Sequence, residues 1–126
     1  MSIRAILRIE PRPQSAGEAR RFVASRLTNW GRAEDLDAVV LLTSEVVTNV
    51  IVHAGPHTEG DEVVVRLEGG IGRLRVEVYD HAASLPVVSH ENLDGISGRG
   101  LILLDAIART WGVESTDRGK VVWFEV

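Results

Sequence analysis

At the start of the chain the apolar residues Ile3, Ala5, Leu7 and Ile9 alternate with Arg4, Arg8 and Glu10. That period of two predicts a strand with one buried face, ended by the loop Pro11 to Gln14. Ser15 with Glu18 three residues later has the form of a capping box, and Phe22, Val23, Leu27 and Trp30 then recur at helical spacing up to Gly31. From Asp35 to Ala54 the β-branched residues Val46, Val47, Thr48, Val50, Ile51 and Val52 favour a strand locally. The run is too long for a strand, and Leu36, Val40, Thr43, Val47, Val50 and Ala54 recur at spacings of three and four, which predicts a helix buried against a sheet. Two more alternating runs, Val63, Val65, Leu67 and Leu74, Val76, Val78, flank a turn containing Gly69, Gly70 and Gly72 and predict a β-hairpin. His81 to Ser97 reads as a long loop, functional or mobile in a domain this small. Leu101, Leu104, Ala108 and Trp111 mark a helix starting near Gly100, and a last hairpin turning at Asp117, Arg118 and Gly119 ends in VVWFEV.

The chain has 126 residues, 44% of them hydrophobic, with a net charge of -4 and no cysteine. No repeat or low-complexity linker divides it, so residues 1–126 read as one domain with one core. Disulfides are excluded and a reducing compartment is permitted. No apolar run approaches the roughly 18 residues of a membrane span, so a cytoplasmic protein with no membrane partner is the expectation. The basic residues are all arginine except Lys120, are scattered, and are outnumbered by acidic ones. Nucleic-acid binding therefore has no electrostatic support.

Glu45 and Asn49 are four residues apart on the second helix and share a face. Both carry the oxygen acceptors that Mg²⁺ prefers, with phosphates and water completing its shell. Asp80 continues the inward series Leu74, Val76, Val78, and a carboxylate on an apolar side needs a donor. An adenine exocyclic amine is one candidate. Gly98 and Gly100 then open the next helix. In that order the residues describe an adenine-nucleotide pocket without a Walker loop, since the only Gly-Lys pair, Gly119 and Lys120, lacks the upstream glycine. Each residue has a plainer reading: a solvated helix face for Glu45 and Asn49, an Asx turn for Asp80, a flexible helix lead for the glycines. Their coincidence argues against those readings. Of His53, His57, His81 and His90 only His53 and His57 have a ligand-like spacing, and Gly55 and Pro56 between them should break the helix, so all four read as surface histidines. Trp123, Tyr79 and Val64 share the outer sheet face by parity, either as a partly covered surface or as a partner or dimer patch.

The segments SEVVTNVIVHAG, VEVYD, GRGLILLDAIA and VVWFEV, with the Ala-Arg-containing first helix, resemble the GHKL ATPases, the superfamily of gyrase, the heat-shock chaperone, histidine kinases and mismatch-repair ATPases. Within it the chain is most similar to the small bacterial anti-sigma-factor serine kinases and their stand-alone actinobacterial relatives. The resemblance spans nearly the whole chain and implies a Bergerat-type α/β two-layer sandwich. Its sheet would be mixed but mainly antiparallel, with helices on one face and ATP between the helical layer and a lid formed by His81 to Ser97. It implies Glu45 as the general base for a water or serine hydroxyl, Asn49 as the ligand of Mg²⁺, and Asp80 as acceptor from the adenine amine. Gly98, Arg99, Gly100 and Leu101 would form the second glycine box, where helix-opening amides approach phosphate oxygens, and His53 would contact the phosphates or the loop. Two departures fall within the implied pocket. Ala82 and Ser84 stand where such proteins have glycines, so the Ala82 methyl would crowd the base or stiffen the lid hinge. Val121 stands where relatives often have a threonine supporting the aspartate and adenine, a hydrogen bond worth about 1 kcal/mol.

The same likeness implies an ATP-binding regulatory protein and a serine/threonine protein kinase using ATP and Mg²⁺. It would phosphorylate a small antagonist protein or sequester a sigma factor according to nucleotide state, and so regulate transcription; a homodimer is expected by likeness only. The alternative is a catalytically degenerate interaction module with the same fold. A third reading is ATP hydrolysis driving a conformational cycle, as in the gyrase branch.

Overall fold

In a computed structural model that describes residues 3–53, 59–81 and 98–126, the alternating runs pair into one five-stranded sheet. The elements are β1 (Ile3–Ile9), α1 (Ser15–Asn29), a 3-10 turn (Ala33–Asp35), α2 (Leu36–His53), β2 (Glu62–Gly70), β3 (Arg73–His81), α3 (Gly98–Ile107), β4 (Thr110–Thr116) and β5 (Gly119–Glu125). Strand order is β1-β2-β3-β5-β4, and every described pairing is antiparallel. The α/β architecture is as the sequence predicts, with an antiparallel rather than a mixed sheet among the described residues.

Register turns the alternation into rows across the helix-facing side. Ala5, Leu67, Val76, Phe124 and Trp111 form one row, and Leu7, Val65, Val78, Val122 and Val113 the next. Against them pack Ala19, Val23 and Leu27 of α1, Val39, Leu42, Val46, Val47 and Val50 of α2, and Leu104 of α3. The buried stripe of α2 is wider than the predicted one because α2 packs against α1, α3 and β3 at once. Burying that surface outweighs the strand preference of its valines, since most helix stability in proteins comes from packing.

Three local expectations change. Ser15 does not cap α1: it is the first helical residue, Gln14 precedes it without a side-chain cap, and the Ser15 hydroxyl donates to the Glu10 carbonyl in the preceding loop. At the other end Gly31 takes φ 71°, Arg32 N–H donates to Leu27 O at 2.8 Å and Gly31 N–H to Thr28 O at 3.2 Å. These are the two bonds of a Schellman stop. Trp111 belongs to β4, not to α3. The helix ends at Ile107, and Arg109 N–H donates to Glu125 O at 2.7 Å, which draws the chain into the sheet so that Trp111 opposes Phe124.

The outer sheet face carries Arg4, Glu68, Arg66, Glu77, Arg75 and Glu125 in a ladder of ion pairs between 2.6 and 3.9 Å that also includes Arg73. Trp123, Tyr79 and Val64 lie on this face, as parity predicts. The Arg75 guanidinium stacks 4.2 Å above the Trp123 ring, whose other neighbour is Gly112. A Cβ at position 112 would sit 2.7 Å from Trp123 Nε1, so the indole lies where only glycine leaves room.

Gly112→Ala should therefore displace the indole from Arg75 and cost about 1–3 kcal/mol in urea unfolding. Burial works to raise the Glu125 pKa, but hydrogen bonds from Arg73, Arg75 and Thr110 outweigh it and hold the carboxyl below its ordinary 4.5. A depressed folded pKa gives stability that is present above pH 4.5 and lost as pH falls through the folded value. The stability of Glu125→Gln should accordingly vary less with pH on the acid side of 4.5 than that of the wild type, measured by urea unfolding across pH.

Candidate functional site

The next helix-facing row, at the end of the sheet, breaks the apolar pattern. Ile9 and Val63 continue it, but Asp80, Lys120 and Ser115 complete the row. Asp80 thus faces the helical layer, carried there by the same alternation that buries Leu74, Val76 and Val78. Directly opposite it stands Lys120, half-buried. Desolvation pushes the Lys120 ammonium below its ordinary pKa, and the negative charge of Asp80 partly restores it. The pairing is held close by Gly119, where a Cβ would run into the Asp80 carbonyl.

From the helical layer comes Glu45, on α2. Arg99, in the opening turn of α3, donates from Nη2 to Glu45 Oε1 at 2.8 Å, with the arginine side chain 74% and the glutamate 18% exposed. The pair joins α2 to the Gly98–Arg99–Gly100 turn. Given the exposed guanidinium, it contributes no more than about 1 kcal/mol, so it can be exchanged for another anion. Next to Glu45, Ser44 accepts a 2.9 Å hydrogen bond from Arg20 of α1. One turn further along α2, Asn49 is only 6% exposed, and its Nδ2 has no hydrogen-bond partner among the described residues. Asn49 is thus buried, not part of a solvated helix face, and an unpartnered buried amide N–H costs about 1–3 kcal/mol.

Among the predicted site residues, then, α2 carries Glu45 and Asn49 on one stripe and the ion pair brings Arg99 to Glu45. Gly100 is buried in the first turn of α3, and Leu101 follows with part of its side chain exposed. His53 is the last residue of α2, and Ala82 lies outside the described residues, as do Ser84 and most of the anticipated lid. Val121 does not join the group. It opposes Tyr79 and Glu114 on the outer face, because it is one residue out of step with Asp80. The residue beside Asp80 is Lys120: parity counted back from Phe124 and Val122 puts it on the helix-facing side, and the β3–β5 register puts it opposite Asp80.

Chemically the group offers an acceptor and a donor side by side at the sheet end, helix-opening amides with a movable guanidinium, and a carboxylate and carboxamide one turn apart. No three acidic, histidine or cysteine residues converge on a metal site among the described residues. A divalent cation held by Asn49 would thus depend on its ligand for the rest of its shell, which is how Mg²⁺ is commonly bound beside phosphates. A second groove is lined by Arg8, Glu10, Arg12, Glu59, Asp61 and Glu62 of the β1 end and the segment leading into β2, with Arg8 paired to Glu62 at 2.8 Å. No described helix is long and apolar enough to cross a membrane.

In comparison with known families, a model described as the histidine kinase-like ATPase domain aligns with residues 9–126. No curated protein matches the chain.

Since the Asn49 amide is buried without a partner, Asn49→Leu should leave the fold intact and raise its stability by about 1 kcal/mol in urea unfolding.

Proposed function

Because the chain belongs to the histidine kinase-like ATPase domain family, we propose that it binds ATP between α2, α3 and the polar end of the sheet and acts as anti-sigma-factor serine kinases do. It transfers the γ-phosphoryl group to a serine of a small antagonist protein, or holds a sigma factor, according to nucleotide state. The observation that carries this reading is the Glu45–Arg99 pair, which sets a carboxylate of α2 beside the glycine turn that opens α3.

In this reading Asp80 accepts from the adenine amine, while the first-turn amides of α3 lie close to the phosphates. Asn49 would hold Mg²⁺, which when bound neutralises phosphate charge. Arg99 exchanges Glu45 for phosphate oxygens, and this frees the carboxylate. Glu45 then accepts the proton of the serine hydroxyl as its oxygen bonds to the γ-phosphorus and the bond to the β,γ-bridging oxygen breaks, leaving ADP. Little covalent work falls to the protein; its contribution is position and charge.

A non-catalytic interaction module is the second reading, favoured by Glu45 being engaged by Arg99 in this state. The two separate on one experiment. Titration calorimetry with ATP and Mg²⁺ should show binding by the wild type and by Glu45→Ala, whereas labelled phosphate transfer to a serine-bearing partner should occur with the wild type alone and fall at least 100-fold in the variant. No binding at millimolar nucleotide would remove the proposal, and binding without transfer to any partner would leave the module.

A further inference from the structure

Lys120 is the only lysine in the chain; every other basic residue is an arginine. It is placed where strand register is least free to change, since Gly119 beside it packs on the Asp80 carbonyl and leaves no space for a side chain. Lys120 and Asp80 are direct register partners, so their side chains emerge side by side on the helix-facing side, one pure donor and one acceptor. The ammonium is half-buried and forms no hydrogen bond or ion pair with a described residue. Burial disfavours its charge and the Asp80 carboxylate restores it only in part, so a further acceptor brought to the ammonium would stabilise it.

An edge made of a carboxylate next to an ammonium complements a planar ring presenting a donor next to an acceptor. Adenine has that edge: the N6 amine is a donor and the adjacent N1 an acceptor. Resting on the nucleotide reading above, we propose that Lys120 is a base-reading residue, donating from Nζ to adenine N1 while Asp80 accepts from N6. A threonine hydroxyl can donate or accept, whereas an ammonium only donates. Lys120 thus fixes the polarity of the edge. Guanine, whose N1 carries a proton, would put that proton against the ammonium in the same pose and is rejected.

The test compares ATP, GTP and 1-deaza-ATP, in which N1 is replaced by C–H, by titration calorimetry with Mg²⁺ on the wild type, Lys120→Met and Lys120→Arg. The wild type should bind 1-deaza-ATP about 10- to 100-fold more weakly than ATP, the size of a hydrogen bond from a charged donor. Lys120→Met should bind ATP weakly and no longer distinguish it from 1-deaza-ATP, and Lys120→Arg should recover part of the difference. Urea unfolding should find Lys120→Met at least as stable as the wild type, so that lost affinity is not lost fold. Equal binding of ATP and 1-deaza-ATP by the wild type, discrimination that survives in Lys120→Met, or preference for GTP would each overturn the assignment while leaving nucleotide binding intact. Absence of binding for any nucleotide would overturn the nucleotide reading and this assignment with it.

Discussion

The pairing of β3 with β5 is the constraint on which the site depends. Side chains change faces with each residue, so a slip of one position would turn Asp80 away from the helical layer and bring a neighbour in. Two features at opposite ends prevent the slip. Gly119 lets β5 approach the Asp80 carbonyl at one end, and at the other Leu74 and Val126 exchange backbone hydrogen bonds at 3.0 and 3.4 Å. Between them Val76, Val78, Val122 and Phe124 are almost wholly buried, so any other register would expose core. The acceptor and donor at the sheet end are therefore positioned by the hydrophobic effect acting on residues that are not themselves part of the site.

The helical layer carries its candidate residues on different terms. α2 is held by valines and leucines on most sides, and this tolerates Asn49 and Thr43 as buried polar groups whose Nδ2 and Oγ1 lack partners. Such groups weaken the fold, each costing about 1–3 kcal/mol while it lacks a partner. The Glu45–Arg99 contact is exposed and weak, in contrast to the rigid sheet end. The fold thus holds the sheet end firmly and the charged contact of α2 with α3 loosely.

On the outer face, aromatic and aliphatic residues do not make a bare patch. Trp123 is covered by Arg75 and seated on Gly112, and the surrounding arginines and glutamates neutralise one another across strands. Cross-strand ion pairs of this kind add little stability each but keep an open sheet face soluble.

Strand and helix positions were legible in the sequence because hydrophobic period is a local property: the alternation of β1, β2 and β3 and the three- and four-residue spacing of α1 and α2 needed no partner to be read. The inward direction of Asp80 followed from the same alternation. What tertiary structure alone decided is non-local. Trp111 satisfied a helical spacing but was drawn into β4 by a strand it could not know, Ser15 bonded to the preceding loop instead of capping its helix, and register set Lys120 opposite Asp80 while Val121 lies on the outer face. Periodicity fixes which residues share a face within one segment, whereas the choice of neighbour across segments depends on which pairing buries the core, and that is settled only when all the strands are assembled.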